Sequence, residues 1–197
     1  MSKAMAILAG VTTVAFVGGT FAVTQFAARP DCGLAPSGDI GGPFTLMDEM
    51  GRTVTEAEVI AEPSLIYFGY TFCPDVCPLD NARNAAAVDI LADEGLSVTP
   101  VFISIDPTRD TVEVVRDYTD NFHPKMIGLT GTEEQVAAAS AAYRTFFEKE
   151  EGDDEYYLVQ HSTSTYLVLP DEGVATFFGR DDSPEHIAQV TACVVAG

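Results

Sequence analysis

The stretch SLIYFGYTFCPDVCPLDNARNAAAVDILADEG, Ser64 to Gly95, decides the fold. Ser64–Phe72 is a continuous apolar run with several aromatic residues, the pattern of a buried central strand. Pro78 cannot stand inside a helix but suits its first position, so a helix is expected to begin near Cys77. Cys73 and Cys77 therefore sit where strand passes into helix. A helix N-terminus carries partial positive charge and unpaired N–H groups, which shift a thiol toward thiolate. Four residues apart, the two side chains can face one spot. The familiar redox spacing places two residues between the cysteines, and here there are three. The extra residue loosens the pair and favours a chelate with room for an ion over a tight redox clip. A plain structural disulfide is the alternative, since the spacing still permits one.

Outward from this unit, FTLMDEMGRTVT (Phe44–Thr55) reads as a hairpin turning at Asp48–Gly51, and Thr55 with Glu58 has capping-box spacing for a short helix. SVTPVFISID (Ser97–Asp106) is a second buried strand. Asp110 with Glu113 is expected to cap the next helix, Thr111–Phe122. MIGLTG is a short strand, and Thr132 with Gln135 caps a helix running to about Phe147. Glu148–Glu155 is an acidic loop. STSTYLVLP and GVATFFG form a hairpin around Asp171–Gly173, and Ser183-Pro184 opens a last helix. Strands alternating with helices predict an α/β domain. The order fits a thioredoxin-like central sheet flanked by helices, with an N-terminal β-hairpin, over residues 44–197.

Lys and Arg total 10 against 30 Asp and Glu, a formal charge of −20. Nucleic acid is excluded as a natural partner, because phosphate binding needs clustered cations. An acidic surface suits cationic partners or metal ions, and the acidic loop is a candidate dock for such a partner. Residues 4–28 hold no charge, and as a helix they would reach roughly 37 Å, enough to cross a bilayer core. We read residues 1–28 as one transmembrane anchor and residues 29–43, rich in Gly and Pro, as a linker. A cleaved signal peptide is the alternative. Both place the remainder outside the cytoplasm. The chain has four cysteines, which an oxidising compartment could pair in three ways. With Cys73 and Cys77 adjacent, Cys32–Cys193 is the candidate structural disulfide.

Of the histidines, His123 precedes Pro124 in a loop and reads as a surface residue. His186 lies in the first turn of the last helix and reads as solvated. His161 precedes the strand STSTYLVLP at the sheet edge, which in a thioredoxin-like layout packs against the helix carrying the cysteines. Two thiolates and one imidazole suit Cu(I) and can also hold Cu(II). Structural zinc usually takes four closed ligands.

FGYTFCPDVCP, ISIDPTRDT and VQHSTSTYLVLPDEG, in this order and spacing, resemble the Sco/SenC family over roughly Asp39 to Thr191. The resemblance implies a membrane-anchored thioredoxin fold facing the periplasm or the mitochondrial intermembrane space. The lack of a transit peptide favours a bacterium and hence the bacterial inner membrane. It also implies copper held by Cys73, Cys77 and His161, and a client in the CuA site of cytochrome c oxidase subunit II. Other periplasmic copper chaperones and thiol reductants are further partners. Two departures stand out: Gln160 where the family often has Asp before the histidine, and Val112 where it often has Pro. Asp75, between the cysteines, reads as polarising its loop. Two functions remain open: copper metallochaperone, or thiol-disulfide oxidoreductase using Cys73 and Cys77 as a redox pair. Peroxide chemistry is a weaker third, since one peroxidatic thiol needs no metal-capable pair.

Overall fold

The computed structural model describes Cys32, residues 39–153 and residues 156–196. The expected anchor and most of the expected linker lie outside the described residues. Among the described residues, no helix is long and apolar enough to cross a membrane.

The elements follow in the order β1 (Thr45–Asp48), β2 (Thr53–Thr55), α1 (Glu56–Val59), β3 (Ser64–Gly69), α2 (Val76–Asp93), β4 (Thr99–Ser104), α3 (Val112–Thr119), β5 (Ile127–Thr130), α4 (Glu133–Ala142), β6 (Phe147–Lys149), β7 (Val159–His161), β8 (Thr165–Leu169), β9 (Gly173–Phe178) and α5 (Pro184–Ala196). Seven strands form one mixed sheet in the order β2-β1-β5-β4-β3-β8-β9, and β6 with β7 makes a separate ribbon. β3 runs parallel to β4 and antiparallel to β8, and β4 runs parallel to β5. This is the expected thioredoxin-like α/β sheet with its N-terminal hairpin.

β3 and β4 are buried along their whole length, which is why their sequences read as continuous apolar runs. Alternation along β3 sends successive side chains to opposite faces. Leu65 packs with Val88 and Leu91 of α2 and Ile187 of α5. Phe68 meets the rings of Tyr143 and Tyr166, with centroids 5.3 and 6.3 Å away. Helices thus cover both faces, and the end of β3 points its chain at the start of α2.

Local signals account for most boundaries. Asp48 Oδ1 accepts from the N–H groups of Met50 and Arg52, and Gly51 closes the turn at φ 74°. Thr132 and Gln135 form the expected capping box. Four expectations change. First, α2 begins at Val76, with Asp75 as its flanking residue, so Pro78 is third in the helix. Its missing N–H is still harmless there, because the first-turn donors have no intrahelical partner. Second, α4 stops at Ala142, and Arg144 takes a left-handed φ of 52°. Third, Phe147, expected to end that helix, joins Glu148 and Lys149 of the expected acidic loop in a strand paired with Val159–His161.

The fourth change concerns Asp110. α3 is capped by Thr111, whose side chain accepts from the Val114 N–H. Asp110 is instead fully buried. Its carboxylate accepts from the Thr71 N–H at 3.0 Å, the Thr71 hydroxyl at 2.6 Å and the Ser104 hydroxyl at 2.6 Å. It thereby fastens the loop after β3 to the end of β4. Burial pushes its pKa up against the opposing pull of these donors.

At the ends of the domain, Cys32 and Cys193 are bridged, with Cα atoms 5.8 Å apart and a sequence separation of 161. A loop of that length stabilises by up to ~5 kcal/mol on the chain-entropy model.

Replacing Asp110 by Ala leaves the Thr71 N–H and Ser104 hydroxyl buried without an acceptor. We expect a loss of about 2–4 kcal/mol, read as a lower urea midpoint at unchanged slope.

Candidate metal centre

Three segments meet at the exit of β3. The loop after β3 supplies Cys73, the first turn of α2 supplies Cys77, and the last residue of β7 supplies His161. One donor atom from each lies within 4.8 Å of the others. Cys77 Sγ is 3.4 Å from His161 Nε2. Cys73 is 8% exposed and Cys77 fully buried, so both thiols are covered and Cys73 lies nearer the surface.

The polarity of the pair follows from α2. The Cys77 backbone N–H donates to Cys73 Sγ at 3.4 Å, which places that sulfur at the positive end of an 18-residue helix. A hydrogen bond from Cys77 holds the Cys73 thiol well below its ordinary pKa, aided by His161 and the backbone at Asp75 and Cys77. The same hydrogen bond, with burial, pushes the Cys77 thiol up. The two opposite shifts bias the negative charge of the pair toward Cys73. The sequence put both thiols at the helix start and left open which of them carries the charge. The structure assigns it to Cys73, which lies just outside the helix and receives its N–H groups.

Gly69 makes the burial of Cys77 possible. A Cβ at this position would lie 2.9 Å from Cys77 Sγ, 2.8 Å from the Tyr67 ring and 3.1 Å from Phe102. Only a residue without a side chain lets α2 seat its thiol on the strand. A lone glycine closing an apolar strand marks such a close approach, and that signal was present in the sequence.

His161 is oriented by its neighbour. Its Nδ1 lies 2.8 Å from the Ser162 carbonyl oxygen. A carbonyl can only accept, so Nδ1 carries a proton and donates it to this bond, which turns the Nε2 edge of the ring toward Cys77. Gln160 does not touch the ring; its amide bonds Glu150 Oε1 at 3.0 Å. Tyr67 and Tyr70 stand edge-on to the imidazole, with centroids 6.2 and 5.7 Å away. The Tyr70 hydroxyl accepts from the Val159 N–H at 3.3 Å, which ties β7 to the residue closing β3. Beneath the site, the Tyr67 hydroxyl donates to Asp80 at 3.1 Å, and Asp80 pairs with Arg83 and Arg180 at 3.4 and 3.8 Å. The sequence reading passed over Tyr67, Tyr70 and Asp80, because aromatic residues in a strand and an acid in a helix have ordinary structural uses.

The other candidates lie elsewhere. His123 pairs with Asp89 at 3.3 Å and is largely covered, and His186 faces Asp182 at 3.7 Å. Asp75 is exposed and its side chain makes no capping bond. Two sulfurs and an imidazole nitrogen within one small volume form a soft donor set suited to copper, so the residues present fit that metal.

The chain is similar to known proteins of one family. The family model described as SCO1/SenC matches residues 33–196. Protein SenC of Rhodobacter capsulatus is 52% identical over 200 residues, covering 98% of this chain and 90% of that protein. The copper-bound crystal structure of ScoI from Arabidopsis thaliana superposes with a TM-score of 0.76 at 40% identity, covering 80% of this chain and 99% of that one. Copper-bound ScoI from Bradyrhizobium japonicum superposes with a TM-score of 0.70 at 34% identity, covering 78% and 98%.

Two outcomes follow from the geometry. A depressed pKa keeps Cys73 ionised as pH falls, so its alkylation in the reduced, metal-free protein should be nearly as fast at about pH 6 as at about pH 8, whereas an ordinary thiol slows steeply over that range. Mass spectrometry of the labelled peptide should find the adduct on Cys73 and not on Cys77. Replacing Gly69 by Ala should push Cys77 Sγ off the strand, and alkylation of Cys77 in that variant reads the displacement.

Proposed function

The chain belongs to the SCO1/SenC family, and on that premise we propose that it carries copper on Cys73, Cys77 and His161 and delivers it to the CuA site of cytochrome c oxidase subunit II during oxidase assembly. The observation that carries this reading is the convergence of those three donor atoms within 4.8 Å, the two cysteines buried and the imidazole half-buried. Homologous structures with copper bound support the choice of metal.

The chain's own groups define what it does to its cargo. Cys73 arrives already ionised and nearer the surface, so it is the first sulfur a copper ion meets. Cys77 gives up its proton as the ion enters, and His161 Nε2 supplies the neutral donor. Copper between two sulfurs and one nitrogen has a coordination position left for an incoming ligand. A client thiolate or imidazole can therefore bind before the chaperone's own ligands leave. That exchange transfers the ion without releasing it to water.

A second reading is favoured by the asymmetry of the pair. Cys73 is an exposed-side thiolate and Cys77 a buried, protonated thiol, the arrangement of an attacking and a resolving cysteine. In this reading Cys73 attacks one sulfur of a disulfide between the client's CuA cysteines, and the client's other sulfur leaves as thiolate. Cys77 then loses its proton and attacks Cys73, forming the Cys73–Cys77 disulfide. The client gains two electrons and leaves as a dithiol, its protons coming from Cys77 and solvent. A periplasmic thiol reductant restores the pair.

We place the domain on the periplasmic side of the bacterial inner membrane, held by residues 1–28. The Cys32–Cys193 bridge supports an oxidising compartment. The acidic stretch from Glu148 to Asp153 favours a partner with a basic face.

Copper titration of the reduced full-length chain tests the first reading. Wild type should bind near-stoichiometric copper with a Cu(II)–thiolate absorption. Cys73→Ser, Cys77→Ser and His161→Ala should each lose that absorption, with affinity falling by more than the roughly 10- to 100-fold typical of an outer-shell loss. Normal binding by His161→Ala would overturn the three-ligand site. Poor copper binding with efficient reduction of a CuA-type disulfide would transfer the function to the second reading.

A further inference from the structure

His161 does not belong to the main sheet. It ends β7, whose only ladder among the described residues is with β6, and neither strand joins the seven-stranded sheet that positions the cysteines. The ribbon must be held against the cysteine loop by side chains. One such tie is the Tyr70 hydroxyl on the Val159 N–H. The larger one centres on Arg109, which belongs to neither segment and follows β4.

The Arg109 guanidinium is enclosed by rings from both sides of the site. Its Cζ lies 3.5 Å from the Tyr157 ring centroid, 4.7 Å from that of Phe72 and 5.8 Å from that of Tyr70. Phe72 and Tyr70 flank the cysteine loop, and Tyr157 leads into β7. Nη1 donates to the Tyr157 carbonyl oxygen at 3.0 Å. Nε pairs with Asp106 at 2.5 Å, and the other oxygen of Asp106 accepts from the Tyr157 hydroxyl at 2.7 Å. One residue thus grips the backbone and the ring of Tyr157, while its faces bear on the residue next to Cys73. Its Nη2 is buried without a hydrogen-bond partner. Ring stacking on Tyr157 and Phe72 therefore complements an incomplete set of hydrogen bonds. A planar, always-charged fork is suited to that combined task, and a lysine ammonium is not.

We propose that Arg109 is a positioning residue that clamps the β6–β7 ribbon onto the cysteine loop and thereby sets His161 against Cys73 and Cys77. Its consequence for copper rests on the copper-carrying reading above, whereas the clamp itself does not. Arg109 touches no donor atom, so it acts on the metal only through His161. Its loss leaves both sulfurs in place and frees the imidazole.

The test uses the full-length chain with Arg109→Leu and Arg109→Lys, the latter serving if the leucine variant fails to fold. In the metal-free protein, amide exchange at Val159, Gln160 and His161 should rise roughly tenfold in either variant, with Ile66–Phe68 of β3 unchanged. In the copper-loaded protein, loss of copper to a chelator should accelerate roughly 10- to 100-fold. In a His161→Ala background the same Arg109 substitution should add nothing. Unchanged exchange in the ribbon would overturn the proposal. So would equal acceleration of copper loss in both backgrounds, since Arg109 would then act through the sulfurs or the fold at large. If the wild-type chain holds no copper, the copper-carrying reading fails and the exchange measurement alone decides the clamp.

Discussion

Cys77 lies in contact with the central strand at a point where any side chain at residue 69 would collide with its sulfur. Much follows from that close approach. It brings the first turn of α2 down onto the end of β3, which turns the helix's free N–H groups toward the loop and onto Cys73. It leaves Cys77 in surroundings where a proton is retained, so the negative charge of the pair settles on the outer sulfur. It also brings Tyr67, one step earlier on the same face, within reach of Asp80 on the helix. A bulkier strand residue would lift the helix and undo all three together.

The site is then assembled from two parts held in different ways. The sulfurs belong to the sheet and its longest crossover helix, backed by continuous apolar burial and by the Asp110 staple between the two central strands. The imidazole belongs to a short ribbon that shares no ladder with that sheet and is tied by Tyr70 and Arg109. A carrier benefits from this division. On the copper-carrying proposal, fixed thiolates would retain the ion, while a donor on a separately held element could be displaced by an incoming ligand without disturbing the fold. The charge of −20 on the whole chain favours the approach of cations.

Much of this was legible in the order of residues. The apolar runs at Ser64 and Val98 specified central strands because burial on both faces demands continuous hydrophobicity. The Thr132–Gln135 box, the Asp48–Gly51 turn and the Ser183-Pro184 start specified boundaries through bonds that span only a few residues. Cys73, Cys77 and His161 could be named because soft donors are scarce in the chain and their spacing matched a known pattern. Asp110 was misread as a helix cap, because a local rule applied and its actual partners, Thr71 and Ser104, lie on other elements. Gln160 stands where the family often has Asp, which left open what group orients the histidine. The Ser162 carbonyl orients it instead, and a backbone group has no signature in side-chain identity.

The sequence by itself determined the fold class, the central strands, most helix starts and the three donor residues, since each depends on local propensity, periodicity or chemical type. Only the tertiary structure decided which thiol carries the charge, what turns the imidazole, and what holds His161 beside the sulfurs. Those outcomes depend on distances between groups far apart in the chain: a helix dipole aimed at a loop sulfur, a carbonyl facing a ring nitrogen, an arginine enclosed by rings from two segments. Such distances are set by how the packed elements close on one another. No run of neighbouring residues encodes them.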